Sequence, residues 1–247
     1  MKIIHPSIFA SVALSFSLTA EELPFADYDF NQAQVDEIEE AEKELFLGFE
    51  AVTGFRTSYL YRGIERAENT LDFQAHGFYS RSEHLHFEYG AWYAAEEGSG
   101  DFKEYGFLLN YIEERGDFTF YLGAKHTETS NFIFNSVTEI NYSSTYNFNA
   151  DNQLTLLASY ETNHEHIYGE LTYNGFYDLN KNSYLSYTLG VGSYLDYFDT
   201  GSLTHGFGRF SYTYNLTEQV SVTPFAGFNL AEDDDTFYGG IWFETSF

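Results

Sequence analysis

The chain has 247 residues, no cysteine, and 38 Asp and Glu against 11 Lys and Arg, for a formal net charge of −27. That balance excludes binding to nucleic-acid phosphates, which needs clustered basic side chains. The missing thiols exclude a disulfide framework, a thiolate metal site and a lipid-modified cysteine at an export junction. Aromatic residues make up 20 % of the chain, and a mean hydropathy of −0.34 is too polar for a bundle of membrane helices.

The first segment reads as a cleaved signal peptide, residues 1–20. Met1-Lys2 forms a basic start, Ile8 to Phe16 is apolar but too short to span a bilayer, and small neutral residues lead to Ala20 before the acidic Glu21-Glu22. Residues 21–44 follow as an acidic periplasmic segment with ten carboxylates and a single base, Lys43. So one-sided a charge leaves too little apolar surface to order the segment. A short helix over Gln32–Lys43, capped by Asn31, is the alternative.

From Leu45 to Phe247 the hydrophobic period is two. Strands are predicted at Leu45–Tyr61, Thr70–Ser80, His84–Ala95, Phe102–Glu113, Asp117–His126 and Val137–Phe148. Six more are centred on residues 154–161, 167–177, 185–192, 209–214, 220–229 and 237–247. One face of each is apolar and aromatic, as with Tyr105, Phe107, Leu109 and Tyr111, and the other is polar or glycine. Strands of about ten residues with an apolar outside and a polar inside describe an all-β, antiparallel transmembrane β-barrel (residues 45–247) of about twelve strands. Ten or fourteen strands fit the same pattern, and a secreted β-sandwich is the soluble alternative. Connections after even-numbered strands are short, such as Arg115-Gly116. Those after odd-numbered strands are longer or more acidic: Gly63–Asn69, Glu96–Asp101, Thr127–Ser136 and Asp196–His205 are examples. That asymmetry puts both barrel termini on the periplasmic side.

The last strand alternates Phe237, Gly239, Ile241, Phe243, Thr245 and Phe247 on one face. It resembles the C-terminal signal of bacterial outer-membrane barrels, which implies that Phe243 and Phe247 serve as an assembly signal for the barrel assembly machinery. The run Thr57-Ser58-Tyr59-Leu60-Tyr61-Arg62-Gly63-Ile64 resembles the Ser-x-Tyr-x-(Phe/Trp/Tyr)-Arg-Gly-Ile motif of the TorF-like porin family. In that family the motif opens a barrel that ends on an aromatic residue. Glu65 stands where the family tends to carry Ser, and Asn69-Thr70 where Pro follows, so the chain reads as a distant member. The resemblance implies an outer-membrane location and a barrel, and no reaction.

The polar face gathers Glu50, Arg56, Arg62, Asp72, Glu88, Glu104, Lys125, Glu139, Glu170, Arg209 and Glu244 as a lumen charge network. Two readings stay open: ion pairs that stiffen the barrel, and a ring that attracts cations. His84 with His86, and His164 with His166 around Glu165, offer paired imidazoles but no third and fourth ligand, so no metal or cofactor is expected. No Gly-x-Ser-x-Gly occurs and the outer face lacks Ser–His pairing, so an enzyme is not expected. The expectation is an outer-membrane porin that contacts the lipid bilayer and passes small solutes, with a preference for cations. The alternative is a structural or surface-interaction barrel filled by its own side chains, since Tyr121, Tyr168, Tyr184, Tyr194, Phe225, Tyr238 and Trp242 are large enough to block much of a lumen.

Overall fold

Alternation with a period of two becomes twelve strands in the computed structural model, which describes residues 47–98, 100–130, 136–195, 203–231 and 235–247. The signal peptide and acidic segment assigned to residues 1–44 lie outside these. The strands are β1 (Leu47–Tyr61), β2 (Ile64–Ser82), β3 (Leu85–Glu96), β4 (Lys103–Arg115), β5 (Phe118–Ser130) and β6 (Ser136–Asn149). They continue with β7 (Asn152–Glu161), β8 (His166–Asn180), β9 (Ser183–Tyr194), β10 (Leu203–Asn215), β11 (Val220–Ala231) and β12 (Asp235–Ser246). Each pairs antiparallel with its sequence neighbours, and β1 pairs with β12 to close the barrel. Closure satisfies the backbone hydrogen bonds within the wall, as a structure surrounded by lipid must. The last ladder bonds join Phe247 N–H to the Phe49 carbonyl at 2.8 Å and Phe49 N–H to the Phe247 carbonyl at 3.3 Å.

The barrel has two unlike ends. The near end, beside Phe247, carries tight connections at residues 83–84, 116–117, 150–151 and 181–182 and a longer one at 216–219. Most far-end connections are longer. The β1–β2 connection is the exception, and it corrects the sequence reading: Gly63–Asn69 is no loop. Ile64–Asn69 begins β2, and only Arg62 and Gly63 form the turn. Both have positive φ, 51° and 77°, which is what a two-residue type I′ hairpin turn requires. Strands β5 and β10 also run further into their far-end connections than predicted, to Ser130 and from Leu203.

Outward side chains such as Phe107, Leu109 and Leu156 are about 60 % exposed, whereas inward ones are buried. A band of touching rings runs around the near end of the outer face. Tyr79, Phe87 and Tyr111 are neighbours at 6.1 and 5.8 Å, and Tyr146, Phe148 and Tyr173 at 5.0 and 6.3 Å. Aromatic girdles of this kind mark the interface between hydrocarbon and headgroups.

The interior also holds apolar residues at inward positions: Val52, Phe78, Trp92, Leu108, Ile112, Tyr121, Phe225 and Trp242 form one cluster. Three of the large rings fit because each lies over a glycine on the next strand. Trp92 pairs with Gly106, Trp242 with Gly54 and Phe225 with Gly240. A Cβ on Gly106 would come within 2.3 Å of the Trp92 ring and 2.4 Å of the His126 carbonyl oxygen, and the backbone contact cannot be relieved by a rotamer change. Gly106→Val should therefore destabilise the barrel by about 1–3 kcal/mol. Urea titration of the refolded protein in detergent, followed by fluorescence of Trp92 and Trp242, should show the midpoint fall.

Candidate functional site

The hairpin of β1 and β2 leaves the wall. Pairing of β1 with β12 ends at Arg56↔Gly240, and pairing of β2 with β3 ends at Thr70↔Glu96, followed by a single Glu97 N–H to Asn69 carbonyl bond of 2.8 Å. Beyond those points β1 and β2 pair only with each other. Asn69 takes a positive φ of 45°, and a bulge shifts the register between Tyr59 and Leu60, leaving Arg66 as the extra residue. Bulges bend a strand and re-aim its side chains. Ser58, Tyr59, Leu60, Tyr61 and Arg62 are consequently all buried in succession, which no wall strand with one lipid-facing side would show. Tyr59, which strict alternation from Phe49 would turn to the outer face, points inward for this reason.

The hairpin reaches across the far mouth. Asn229 on β11 donates to the Gly63 carbonyl at 3.0 Å, and a Cβ on Gly63 would meet the His205 ring of β10 at 2.6 Å. Arg62, completely buried, is the centre of the contact. Its Nη2 lies 2.8 Å from Glu139 Oε1 on β6 and its Nη1 2.7 Å from Glu161 Oε1 on β7. It also donates to Ser159 Oγ at 2.6 Å and Tyr194 OH at 3.1 Å. The guanidinium carbon lies 4.5 Å from the Tyr168 ring centre, 5.2 Å from Tyr194 and 5.1 Å from Tyr61. Cations sit favourably over such rings, and more so when both are desolvated.

A second anchor lies beside the first. Arg66 Nη1 is 2.5 Å from Glu104 Oε2, and its guanidinium stacks 3.7 Å over the Tyr61 ring. Glu104 also accepts from Tyr59 OH at 2.5 Å, Trp92 Nε1 at 3.2 Å and Thr129 Oγ1 at 3.2 Å. Tyr61 OH donates to Glu139, whose other oxygen is 2.9 Å from Lys125 Nζ. Three cations, Arg62, Arg66 and Lys125, thus face three carboxylates, Glu104, Glu139 and Glu161.

The eleven residues named from the sequence all have buried side chains inside the barrel. Arg62, Glu104, Lys125 and Glu139 meet at the hairpin, and Glu170 adjoins them through Tyr168 OH at 2.8 Å. Arg56 and Asp72 form a separate two-bond pair at 2.9 and 2.8 Å where the hairpin departs. Glu88 gathers His76, Asn110 and Tyr121 at 3.2, 2.6 and 2.9 Å. Arg209 lies 5.8 Å from the Phe225 ring, Glu244 accepts from Ser221 at 2.9 Å, and Glu50 lies opposite His76 across the β1–β2 ladder. The charge network read from the sequence left out Glu161, Arg66 and Tyr61, and Tyr59 and Trp92, both donors to Glu104, were not recognised as inward residues. Glu161 shares the inward parity of Ser159 and was readable from it; Tyr61 and Arg66 are aimed by the bend and the bulge, which alternation cannot reveal.

The His84–His86 pair is divided, with His84 exposed and His86 buried. His164 and His166 stack at 5.9 Å, and each lies 3.6–3.7 Å from Glu161 Oε2. Among the described residues no group of three His, Asp or Glu side chains is placed to hold a metal ion. Phe243 and Phe247 both face outward, and Phe247 packs on Phe49 with ring centres 6.1 Å apart.

The fold is that of outer-membrane β-barrels. Similar solved structures are the KdgM porin (10 % identity, TM-score 0.53, 81 % of this chain and 99 % of that one) and the NanC porin (10 %, 0.53, 81 % and 98 %). An outer membrane channel from Pseudomonas putida F1 matches equally well (10 %, 0.53, 84 % and 98 %). No family model and no curated protein matches the sequence, so the TorF-like resemblance rests on residues 57–64 alone.

If the buried guanidinium latches the hairpin, Arg62→Met should release it. Removing one partner of a buried ion pair costs about 3–5 kcal/mol, and freeing a hairpin with no lateral strand pairing relieves that cost without unfolding the wall. In a chain without cysteine, Ile64→Cys reports the release through its rate of reaction with a polar maleimide. The rate should rise in the Arg62→Met background while heat-modifiable gel mobility is kept; equal rates would show that Arg62 is not the latch.

Proposed function

We propose that the chain is an outer-membrane channel for small solutes, seen with its outer mouth shut by its own β1–β2 hairpin. The near end faces the periplasm and the far end the exterior. The observation that carries this reading is the detached hairpin: a closed wall has no structural need for a segment that leaves both neighbours and fills the lumen. Its apolar, girdled outside and charged inside suit a bilayer around it and an aqueous path through it.

The same geometry supports a preference for cations. Eight buried carboxylates (Glu50, Asp72, Glu88, Glu104, Glu139, Glu161, Glu170 and Glu244) face the buried cations Arg56, Arg62, Lys125 and Arg209, together with Arg66, whose side chain is 2 % exposed. Withdrawing the hairpin carries Arg62 and Arg66 out and leaves Glu104, Glu139 and Glu161 with Lys125 alone. The open mouth is then more negative than the closed one, and rings of carboxylates favour cations.

A second reading has its own support. Thr145, Thr155, Thr172 and Thr223 are also buried, so the interior is filled well below the hairpin. That favours a structural barrel with no path. Planar-bilayer recordings separate the two. The wild type should open rarely, whereas a variant with Ser58–Glu68 replaced by a short turn should conduct steadily. Under a salt gradient its reversal potential should have the cation-selective sign, most strongly at low salt where screening is weak. An anion-selective sign would defeat the electrostatic argument, and a folded but silent hairpin-less barrel would establish the structural reading.

We also propose that Phe243 and Phe247 are read during assembly. Deleting Phe247 and replacing Phe243 with Ala should lower the fraction inserted in the membrane while export to the periplasm is unchanged, as measured by fractionation. Normal insertion of that variant would remove the signal role.

A further inference from the structure

We propose that the niche now filled by Arg62 is a binding site for solutes bearing a guanidinium group, and that such a solute holds the hairpin out. The proposal rests on the channel reading only for its physiological sense, not for its test. Everything that receives the guanidinium, apart from Tyr61, belongs to the fixed wall. Glu139 and Glu161 are direct cross-strand partners on β6 and β7, and Ser159 precedes Glu161 on the same inward face. Tyr168 and Tyr194 are cross-strand partners on β8 and β9, with rings 5.1 Å apart and inclined at 61°.

Two carboxylates, each met by a different terminal nitrogen, and two tyrosine rings select a flat, delocalised, weakly hydrated cation with several donors. Guanidinium has those properties; sodium and a primary ammonium, both strongly hydrated and without a planar donor fork, do not. The Arg62 side chain shows the fit directly, since its terminal nitrogens reach both carboxylates at 2.7 and 2.8 Å with a tyrosine ring 4.5 Å from its central carbon.

Arg62 is an internal occupant on a segment that can leave. The hairpin makes no lateral ladder bonds beyond Arg56 and Asn69, so its inward position depends on its docked side chains. Because Arg62 has no exposed surface, a free solute reaches the niche only after the hairpin lifts. A ligand that binds one state and not the other shifts the population toward the state it binds. The solute would therefore act as an opener, replacing the charge that the departing arginine removes from between Glu139 and Glu161.

The test uses the full barrel in detergent with Ile64→Cys as reporter and ethylguanidinium chloride as probe. Maleimide labelling should accelerate saturably, by roughly tenfold at its plateau, the gain expected when about a tenth of the hairpins are lifted before the probe is added. Ethylammonium chloride and sodium chloride at equal ionic strength should give no plateau. Glu161→Gln in the same background should weaken or abolish the ethylguanidinium plateau. Arg62→Lys, which keeps a charge on the hairpin but loses the fork, should reach the plateau at lower ethylguanidinium. A flat response, or one that rises linearly and equally with all three salts, would overturn the proposal and leave Arg62 as a structural latch. The channel reading fails separately: saturable labelling in a barrel that never conducts keeps the site and removes the channel, while conduction by the hairpin-less barrel with flat labelling does the reverse.

Discussion

The far half of this barrel is organised by one charge, the Arg62 guanidinium, held away from water between Glu139 and Glu161. An unpaired arginine could not be buried there, and neither could two facing carboxylates without it. The hairpin, the carboxylates on β6 and β7 and the tyrosines on β8 and β9 are therefore mutually dependent. The type I′ turn serves the same end. It places Arg62 at the very tip of the hairpin, where a short reach from the turn meets the opposite wall. Gly63, at φ 77° and against His205, lets the backbone come that close.

The interior is built in two chemistries. Toward the far end it is ionic and tyrosine-rich, and nearer the termini it joins an aromatic cluster to a wall of threonine, serine and asparagine. The aromatics are admitted by cross-strand glycines, so ring and gap form one packing unit. This explains glycines such as Gly54, Gly106 and Gly240 inside strands that they would otherwise weaken. A ring laid flat on a glycine also takes less of the lumen than one standing upright on the wall.

Much of the barrel was legible in the sequence because lipid imposes strict alternation. Tyr105, Phe107 and Leu109 announced an outer face, and Glu104, Asn110 and Lys125 the inner one. Strand number and pairing order followed from that period and from the short near-end turns. Trp92, Phe78 and Ile112 escaped notice as interior residues because parity was judged by polarity, and these are apolar residues on the polar side. The hairpin escaped for a different reason. Alternation describes a strand in a wall, and Ser58–Arg62 is a strand outside the wall, buried on every side. The positive φ of Asn69 and the bulge at Arg66 are local backbone choices with no hydrophobic period to betray them.

The departure of the hairpin has a further consequence for how the barrel can sit. Above Gly240 the edge of β12 lacks a neighbouring strand, whereas β3 ends at Glu96 together with its pairing to β2, and Gly239 N–H turns to the Thr57 hydroxyl at 3.0 Å instead of to a backbone carbonyl. Backbone edges of that kind are tolerated in water and not in hydrocarbon. The rim is therefore notched on one side, and the floor of the notch is a depth gauge. On that side the acyl chains must end near the level of Phe55 and Ile241, and the lipid headgroups, with water behind them, must fill the gap above.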